Sequence, residues 1–338
     1  MLLSWHAQHF YCAITCYDVA QETKNMTDTL RPLEKLKAAI ETIPTGSTTR
    51  FAPSPTGYLH LGHVAAALFV WIIGKKTQSK ILFRMEDHDL GRYRPEYDLA
   101  ITEDLIELGF VPDEGIDLTR KVASYRQSKK GARYQSLLES LVKAQKAYGC
   151  ECSRKDIHTA MEIGAINSDE LVYLGQCRNK NIDPNQKRIG TRARLSKEPI
   201  SIDDLWLGPL TQTASEQCGD LLLRDRQGYW TYQFCCVVDD YDQGVDLIIR
   251  GQDLAHCVGR QIHLAQILGF KACNMYLHHP LITNPSGHKL SKRFLSTSIR
   301  QMMREGQTKQ AIIGRAAYLM GFQPDDKPIS LNDLIGNV

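Results

Sequence analysis

The sequence predicts an α/β fold whose parallel sheet is divided by an insertion. Two βα pairs near the start of the chain indicate it, together with an irregular middle and a return of the alternation towards the end. In chain order these are a strand near 49–52, a helix near 63–73, a buried strand at 80–87, a helical pattern at 96–109, the irregular segment 112–225, alternation at 229–251, a helix at 253–269 and a strand at 275–279.

The composition is that of a soluble globular protein of about two domains. Of 338 residues, 43% are apolar and 23% are charged, and the net charge of +3 is compatible with an RNA partner without requiring one. No run of about 18 apolar residues is present, so we expect no membrane span. The 10 cysteines are irregularly spread, which favours a reducing compartment, the cytoplasm, and a metal or core role. We expect a monomer.

Residues 1–49 are predicted to be a flexible extension that is separate from the catalytic fold. Within them, residues 30–43 have the pattern of one short amphipathic helix, and Pro44 and Gly46 then mark a linker. An alternative is that Met26 is the true start of the protein.

The first motif, RFAPSPTGYLHLGH, occupies residues 50–63. Its prolines and glycines form a loop that leads into a helix, and a helix N-terminus favours negative charge. His60 and His63 are three residues apart, so both can face the same side of the helix start. Protonated or donating imidazoles there can stabilise a phosphate under attack. Taken as HLGH alone, a loop with two incidental histidines is an equal alternative.

The second motif, KLSKR, occupies residues 289–293 and follows the turn-rich NPSGH. Two lysines and an arginine on a loop suit a triphosphate, because they can hold the leaving pyrophosphate and neutralise developing charge. By itself such a run is more often a solvated basic loop.

Together the motifs resemble the ATP site of the glutamyl-tRNA synthetase family, over roughly residues 50–300. The resemblance implies a Rossmann-type class I aminoacyl-tRNA synthetase catalytic domain split by a zinc-bearing insertion. It implies catalytic roles for His60, His63, Lys289 and Lys292. It also implies that His60, Gly62, His63 and Lys292 bind ATP, which Mg²⁺ accompanies.

The implied domain limits follow the motifs. They are an extension at 1–49, the first half of the catalytic domain at 50–111, the insertion at 112–225, the second half with the KLSKR loop at 226–300, and a short helical segment without an anticodon-binding domain at 301–338.

The same resemblance implies a pocket for L-glutamate. A glutamate ligand needs cations for two carboxylates and an anion for its ammonium group. By resemblance the arginines hold carboxylates, Tyr232 donates its hydroxyl, and Ser54 and Glu86 take the ammonium. The implied set is Arg50, Ala52, Ser54, Glu86, Tyr232 and Arg250. Each residue alone could instead form a surface ion pair.

A cysteine pattern in the insertion is a candidate for a metal site. Cys150 and Cys152 form Cys-x-Cys, and Cys177 follows Tyr173 by four residues. Zinc requires four tetrahedral ligands, so three cysteines leave one position open, and the spacing alone leaves zinc and chance both open. The resemblance to glutamyl-queuosine tRNA synthetases, shortened members of the family, implies Tyr173 as the fourth ligand. His158 is the rival, and the pair Cys12 and Cys16 is interpreted as incidental.

Two features favour the shortened members and their acceptor, the queuosine base in the anticodon stem-loop of tRNA(Asp). Residues 294–338 are too few for the anticodon-binding region of full-length members, which needs on the order of 100 residues. In TYQFCCVVDD, Cys236 replaces the asparagine usual in full-length members. His63 points the other way, because the shortened members often have serine there.

Two alternatives therefore stay open. One is a shortened glutamyl-tRNA synthetase that charges the 3′ end of tRNA(Glu). The other is a synthetase-like RNA-binding protein without catalysis, against which the intact histidines and lysines of both motifs argue.

Overall fold

The computed structural model describes residues 32–168, 170–282 and 297–338. The first elements are α1 (Pro32–Thr42), β1 (Thr48–Phe51), α2 (Leu61–Lys76), β2 (Lys80–Phe83) and α3 (Pro95–Glu107). The middle elements are β3 (Ile116–Asp117), β4 (Val122–Ala123), α4 (Gly131–Lys143), β5 (Ala147–Cys150), α5 (Arg154–Ile163), β6 (Gly190–Ala193), β7 (Ile200–Asp204), β8 (Gly208–Gln212), α6 (Ala214–Cys218) and β9 (Leu221–Arg224). The last elements are α7 (Tyr232–Asp242), β10 (Leu247–Gly251), α8 (Val258–Leu268), β11 (Met275–His279), α9 (Ile299–Arg304), α10 (Lys309–Leu319) and α11 (Leu331–Asn337).

The first βαβ unit lies at the centre of the molecule. Strands β1 and β2 pair in parallel, with Arg50 opposite Leu82, and α2 connects them. Helix α2 is apolar on nearly all sides and is buried, as expected for a helix without a polar face. The strand predicted at 80–87 ends earlier, at Phe83. The residues after it leave the strand, and this brings Glu86 to the loop of the first motif, where its N–H donates to the Pro53 carbonyl (3.0 Å).

A second parallel pair extends this unit. Strands β10 and β11 are in register from Leu247 opposite Met275, and α8 lies between them in the chain. Asp246 joins the two pairs, since its carboxylate accepts from the Thr48 N–H (2.7 Å) and its own N–H donates to the Thr48 carbonyl (3.1 Å). The carboxyl ends of β1, β10 and β11 therefore meet at one edge, the usual place for a ligand in such sheets.

The hairpin β7–β8 corrects the predicted limits of the insertion. Residues 200–212 fall within the predicted range 112–225, yet β7 pairs in parallel with β11, at Asp204 opposite Tyr276. The sheet that contains β10 and β11 thus continues into the hairpin. A short strand followed by a tight turn has the same local pattern inside or outside an insertion, so the sequence could not assign it.

Helix α1 corrects the prediction for residues 1–49 in the part that the structure describes. The predicted helix is present, but Leu36, Ala39 and Ile43 are buried in the same apolar core as α2. Strand β1 begins at Thr48, directly after this segment. Residues 32–49 are therefore part of the catalytic fold rather than a separate extension, whereas Cys12, Cys16 and Met26 lie outside the described residues.

The insertion has a core that it shares with the catalytic domain. Strands β5, β6 and β9 form an antiparallel sheet. Tyr134 and Leu138 of α4 cluster with Phe234 of α7 and Leu264 of α8. At the C-terminal end of the chain, α10 and α11 bury apolar side chains in the main core. Across the described ranges we find no helix with both the length and the apolar character needed to cross a bilayer.

Candidate active site

A cavity of about 460 Å³ lies at the carboxyl ends of β1, β10 and β11. The N-termini of α2 and α7 also open onto it. Its walls combine cations, imidazoles and apolar side chains. The lining includes Arg50, Ala52, His60, Gly62, His63, Glu86, Tyr232, Arg250, Gly251, Asp253, Leu254, His279 and Ile282.

The two histidines of the first motif cap the helix α2 and face this cavity. The Gly62 N–H donates to Nδ1 of His60 (3.1 Å), and the His60 N–H donates to Nδ1 of His63 (3.2 Å). Since both Nδ1 atoms accept, each neutral ring carries its proton on Nε2. Burial lowers the pKa of His60, and burial together with the neighbouring His60 lowers the pKa of His63 to about 3. Of the two predicted states, the neutral donating imidazole is therefore the one that the geometry favours.

The two arginines of the cavity are held in different ways. Nε of Arg50 donates to Asp240 Oδ1 (3.1 Å) and its Nη1 donates to the Ile249 carbonyl (3.4 Å). Nε of Arg250 donates to Nε2 of His278 (2.9 Å), a neutral partner. Nη1 and Nη2 of Arg250 are buried and have no hydrogen-bond partner among the described residues. A buried, unpartnered guanidinium edge is costly, so it indicates a site for an anion.

Glu86 lies under the cavity in a charged cluster. Its Oε1 accepts from Nη2 of Arg84 (3.1 Å) and from Sγ of Cys236 (3.1 Å). Nη1 of Arg84 donates to Asp240 Oδ1 (2.7 Å), the same oxygen that receives Arg50. Arg84 therefore links Glu86 to Asp240, and Asp240 in turn holds Arg50. This fixes the positions of Glu86 and Arg50 in the cavity relative to each other.

The structure brings most of the predicted ligand residues together. Arg50, Ala52, His60, Gly62, His63, Glu86, Tyr232 and Arg250 all line the one cavity. Ser54 is exposed and is not among the described lining residues, so its predicted contact with the ammonium group is not supported by this arrangement. Lys289 and Lys292 lie outside the described residues.

Three residues of this region were not found by sequence reasoning. Asp253 and His279 line the cavity, and His278 holds Arg250 from behind. The sequence does contain an indication of the two histidines, because the predicted strand at 275–279 ends in them. That end lies at the sheet edge where Arg250 is also expected. Nothing in the sequence indicated that β10 and β11 are neighbours in register, which is what makes the contact.

The three cysteines of the insertion converge, as the resemblance implies. Their sulfur atoms all lie within 4.8 Å of one another, and Sγ of Cys152 is 3.5 Å from Sγ of Cys177. Nε of Arg192 donates to Sγ of Cys150 (3.3 Å). Burial opposes ionisation of Cys150, but Arg192 outweighs it and lowers the pKa of the thiol. Three converging sulfurs, one of them disposed to ionise, suit a metal ion.

Of the two candidates for a fourth ligand, Tyr173 is the better placed. Its hydroxyl is buried beside the cluster, accepts the Cys177 N–H (2.7 Å) and lies within hydrogen-bonding reach of Cys150. His158 is exposed on α5, where Nδ1 pairs with Glu162 (3.2 Å).

Chemically, the described lining offers two guanidinium groups, the Nε2–H donors of His60 and His63, and the carboxylates of Glu86 and Asp253. The histidines lie at the N-terminus of α2, which attracts anions. Burial raises the pKa of Tyr232, so its phenol is a neutral donor. The arrangement suits a ligand with carboxylate and ammonium groups beside a second ligand with phosphates.

Known proteins resemble this chain in sequence. The family model described as tRNA synthetases class I (E and Q), catalytic domain, matches residues 47–333. The chain is 37% identical over 296 residues to a protein named glutamyl-Q tRNA(Asp) synthetase from Nitratidesulfovibrio vulgaris, covering 85% of this chain and 90% of that protein. It is 34% identical over 294 residues to a glutamate–tRNA ligase from Francisella tularensis subsp. novicida, of which it spans only 60%.

Solved structures agree with these matches. A glutamate–tRNA ligase from Elizabethkingia meningosepticum, solved with its amino acid, superposes with a TM-score of 0.69 at 25% identity, covering 86% of this chain and 64% of that one. The glutamate–tRNA synthetase of Elizabethkingia anophelis gives a TM-score of 0.70 at 26% identity, with 86% and 65% coverage. The chain thus spans about two thirds of these structures. The matched range takes in the cavity, the histidine pair and the cysteine cluster, and on that basis the chain belongs to the class I tRNA synthetases (E and Q), a family of ligases.

Proposed function

We propose that this enzyme activates L-glutamate with ATP and transfers the glutamyl group to the queuosine base in the anticodon of tRNA(Asp). The observation that carries the activation step is the Arg250 guanidinium edge, which is buried in the cavity without a hydrogen-bond partner among the described residues. A substrate carboxylate supplies the missing partner, and a charge-assisted pair with a fork of two N–H groups is among the stronger contacts available.

The remaining residues of the cavity take roles that fit their surroundings. Arg50 binds the second carboxylate, Tyr232 donates its hydroxyl, and Glu86 accepts the ammonium group. Ala52, beside β1, leaves room for the substrate. Ser54 stays a proposed ligand on the resemblance alone.

The histidine pair stabilises the phosphate end of the reaction. One glutamate carboxylate oxygen attacks the α-phosphorus of ATP, the bond to the bridging oxygen breaks, and pyrophosphate leaves as glutamyl-adenylate forms. Nε2–H of His60 and of His63 donates to the charged phosphate oxygens, while the Gly62 backbone allows close approach. Lys289 and Lys292 bind the departing phosphates, and Mg²⁺ accompanies ATP and screens their charge.

The acceptor rests on a relative rather than on the cavity. The chain is 37% identical to the glutamyl-Q tRNA(Asp) synthetase and 34% identical to the glutamate–tRNA ligase. Cys236 contacts Glu86 at the floor of the cavity, so it bears on how glutamate is held and does not choose an RNA. In the second step, a hydroxyl of the queuosine cyclopentene ring attacks the activated carbonyl and AMP leaves.

The test of the acceptor uses radiolabelled glutamate and four RNAs. We expect label on queuosine-bearing tRNA(Asp), and on the same tRNA after its 3′-terminal adenosine has been removed. We expect none on tRNA(Asp) without queuosine and none on tRNA(Glu).

Two outcomes would contradict this proposal. One is label on tRNA(Glu) that is lost in a further sample of this tRNA without its 3′-terminal adenosine, which would identify an enzyme that charges the 3′ end. Absence of glutamate-dependent ATP–pyrophosphate exchange, with or without tRNA, would identify an RNA-binding protein without catalysis.

We further propose that Cys150, Cys152, Tyr173 and Cys177 hold a structural Zn²⁺. Purified protein should contain about one zinc per chain, since a closed four-ligand site binds tightly. Cys152→Ala should lose it, and Tyr173→Phe should release it at a lower chelator concentration than wild type. His158→Ala and Cys218→Ala, a control cysteine in the same insertion, should keep it. Metal content after chelator titration measures this, and unchanged zinc in Cys152→Ala would refute the assignment.

A further inference from the structure

A chain of three buried side chains runs from the hairpin β7–β8 to the cavity. Asp204 Oδ2 lies 2.6 Å from Nδ1 of His278, and Nε2 of His278 lies 2.9 Å from Nε of Arg250. The side chains of Asp204 and His278 are both 0% exposed. We propose that Asp204 and His278 are positioning residues that aim the Arg250 guanidinium at a carboxylate of the substrate. This inference rests on the proposed function and names residues that set its affinity for glutamate.

The hydrogen bonds fix the protonation state of His278. A guanidinium group has N–H donors and no acceptor, so Nε2 of His278 must accept from Nε of Arg250. The proton of the ring is then on Nδ1, which donates a hydrogen bond to the Asp204 carboxylate. The ring is neutral and in a single tautomer, and burial, which lowers its pKa, agrees with this.

A neutral partner has a consequence for Arg250. Arg50 shares an oxygen of Asp240 directly, so part of its charge is already compensated. Arg250 is oriented through Nε by an imidazole without charge, so its full charge and both Nη groups stay available for the ligand. The negative charge that holds the imidazole lies one residue further from the cavity.

Asp204 is itself firmly placed. Its Oδ1 accepts from the backbone N–H of Trp206 (3.0 Å) and of Leu207 (2.8 Å), which close the turn of the hairpin. Burial opposes its ionisation, but the bonds from His278 and Leu207 outweigh this and lower its pKa, so it is a carboxylate at neutral pH. The hairpin, which the sequence assigned to the insertion, therefore sets the geometry of a residue in the cavity.

The test measures KM and kcat for glutamate in ATP–pyrophosphate exchange with four variants. In Asp204→Asn the amide donates towards Nδ1, so the proton moves to Nε2 and opposes the Nε–H of Arg250. His278→Phe removes the acceptor with little change of shape. Both should raise the KM for glutamate by about 10- to 100-fold, leaving the KM for ATP and kcat within about threefold.

Two further variants separate positioning from folding. The side-chain oxygen of His278→Gln can still accept from Arg250, so its KM for glutamate should return to within about fivefold of wild type. Tyr276→Phe, two residues earlier on β11, should behave as wild type. All four are compared by thermal midpoint.

Several results would overturn the inference. A KM for glutamate that is unchanged in Asp204→Asn and His278→Phe refutes positioning, as does a parallel rise of the KM for ATP. If these two variants do not fold, a His278→Gln protein that folds with a KM for glutamate at least about 10-fold above wild type also refutes it. A wild-type enzyme without glutamate-dependent exchange overturns the proposed function and this inference with it.

Discussion

Replacing Arg250 with leucine is expected to lower kcat/KM for glutamate in ATP–pyrophosphate exchange by roughly 1000-fold. The substitution removes the two buried Nη groups that have no partner among residues 32–168, 170–282 and 297–338, and it leaves the substrate carboxylate without its cation. The KM for ATP should change little, because the proposed phosphate contacts come from the histidine pair and not from Arg250. Steady-state exchange with glutamate and ATP varied in turn measures both.

Two further variants make this result specific. Arg250→Lys keeps the charge but loses the planar fork, so it should recover only a small part of the loss. Arg315→Leu removes an arginine that pairs with Asp326 and does not line the cavity, and it should match wild type. If Arg250→Leu kept its KM for glutamate within threefold of wild type, Arg250 would not be a carboxylate ligand. Exchange with glutamine in place of glutamate shows which carboxylate Arg250 binds. If Arg250→Leu no longer discriminates glutamate from glutamine, Arg250 binds the side-chain carboxylate.

Replacing Arg84 with methionine is expected to reduce the free energy of unfolding by about 3–5 kcal/mol at pH 7. Arg84 is 1% exposed and its guanidinium bonds to Asp240 (2.7 Å), Gln243 (2.8 Å) and Glu86 (3.1 Å). Methionine fills much of the volume but leaves these carboxylates buried without their main cation. Urea unfolding followed by circular dichroism measures the difference.

The loss of unfolding free energy in Arg84→Met should become smaller as the pH falls. Burial opposes ionisation of Asp240, but Arg50 and Arg84 outweigh it and hold its pKa below the ordinary value. Its stabilising contribution is therefore present above the unfolded pKa and is lost as the pH falls through the folded pKa. Without Arg84 the carboxyl group of Asp240 protonates more readily. The difference in free energy of unfolding between wild type and Arg84→Met should therefore become smaller as the pH falls.

Arg133→Met is the matched control for this experiment. Arg133 pairs with Asp242, at the end of the same helix α7 that carries Asp240, but its side chain is 40% exposed. An exposed pair of this kind contributes about 0–1 kcal/mol. A loss in Arg84→Met no larger than that of Arg133→Met would show that the buried cluster does not stabilise the fold.

Local pattern was sufficient for much of the fold. The strand at 275–279 and the helix starting near residue 63 follow from apolar periodicity and from the glycine- and proline-rich loop before the helix, and both are observed. The strand predicted at 80–87 is present, but it ends at Phe83. Met85 is buried like a strand residue, although its N–H donates to the Tyr125 carbonyl, outside the pair β1–β2.

The candidate site divides along the same line. By itself the sequence determined the two motifs and, through their resemblance to the family, predicted the candidate residues of the site: the histidine pair, the arginines, Glu86, Tyr232 and the cysteine cluster. Only the tertiary structure decided that α1 belongs to the core, that Ser54 is exposed, and that Arg84 and the Asp204–His278 pair hold the ligand residues in place. These contacts join residues far apart in the chain, such as Asp204 and His278, which meet because β7 lies beside β11. Strand neighbours and register come from the packing of the whole sheet, and local periodicity carries no information about them.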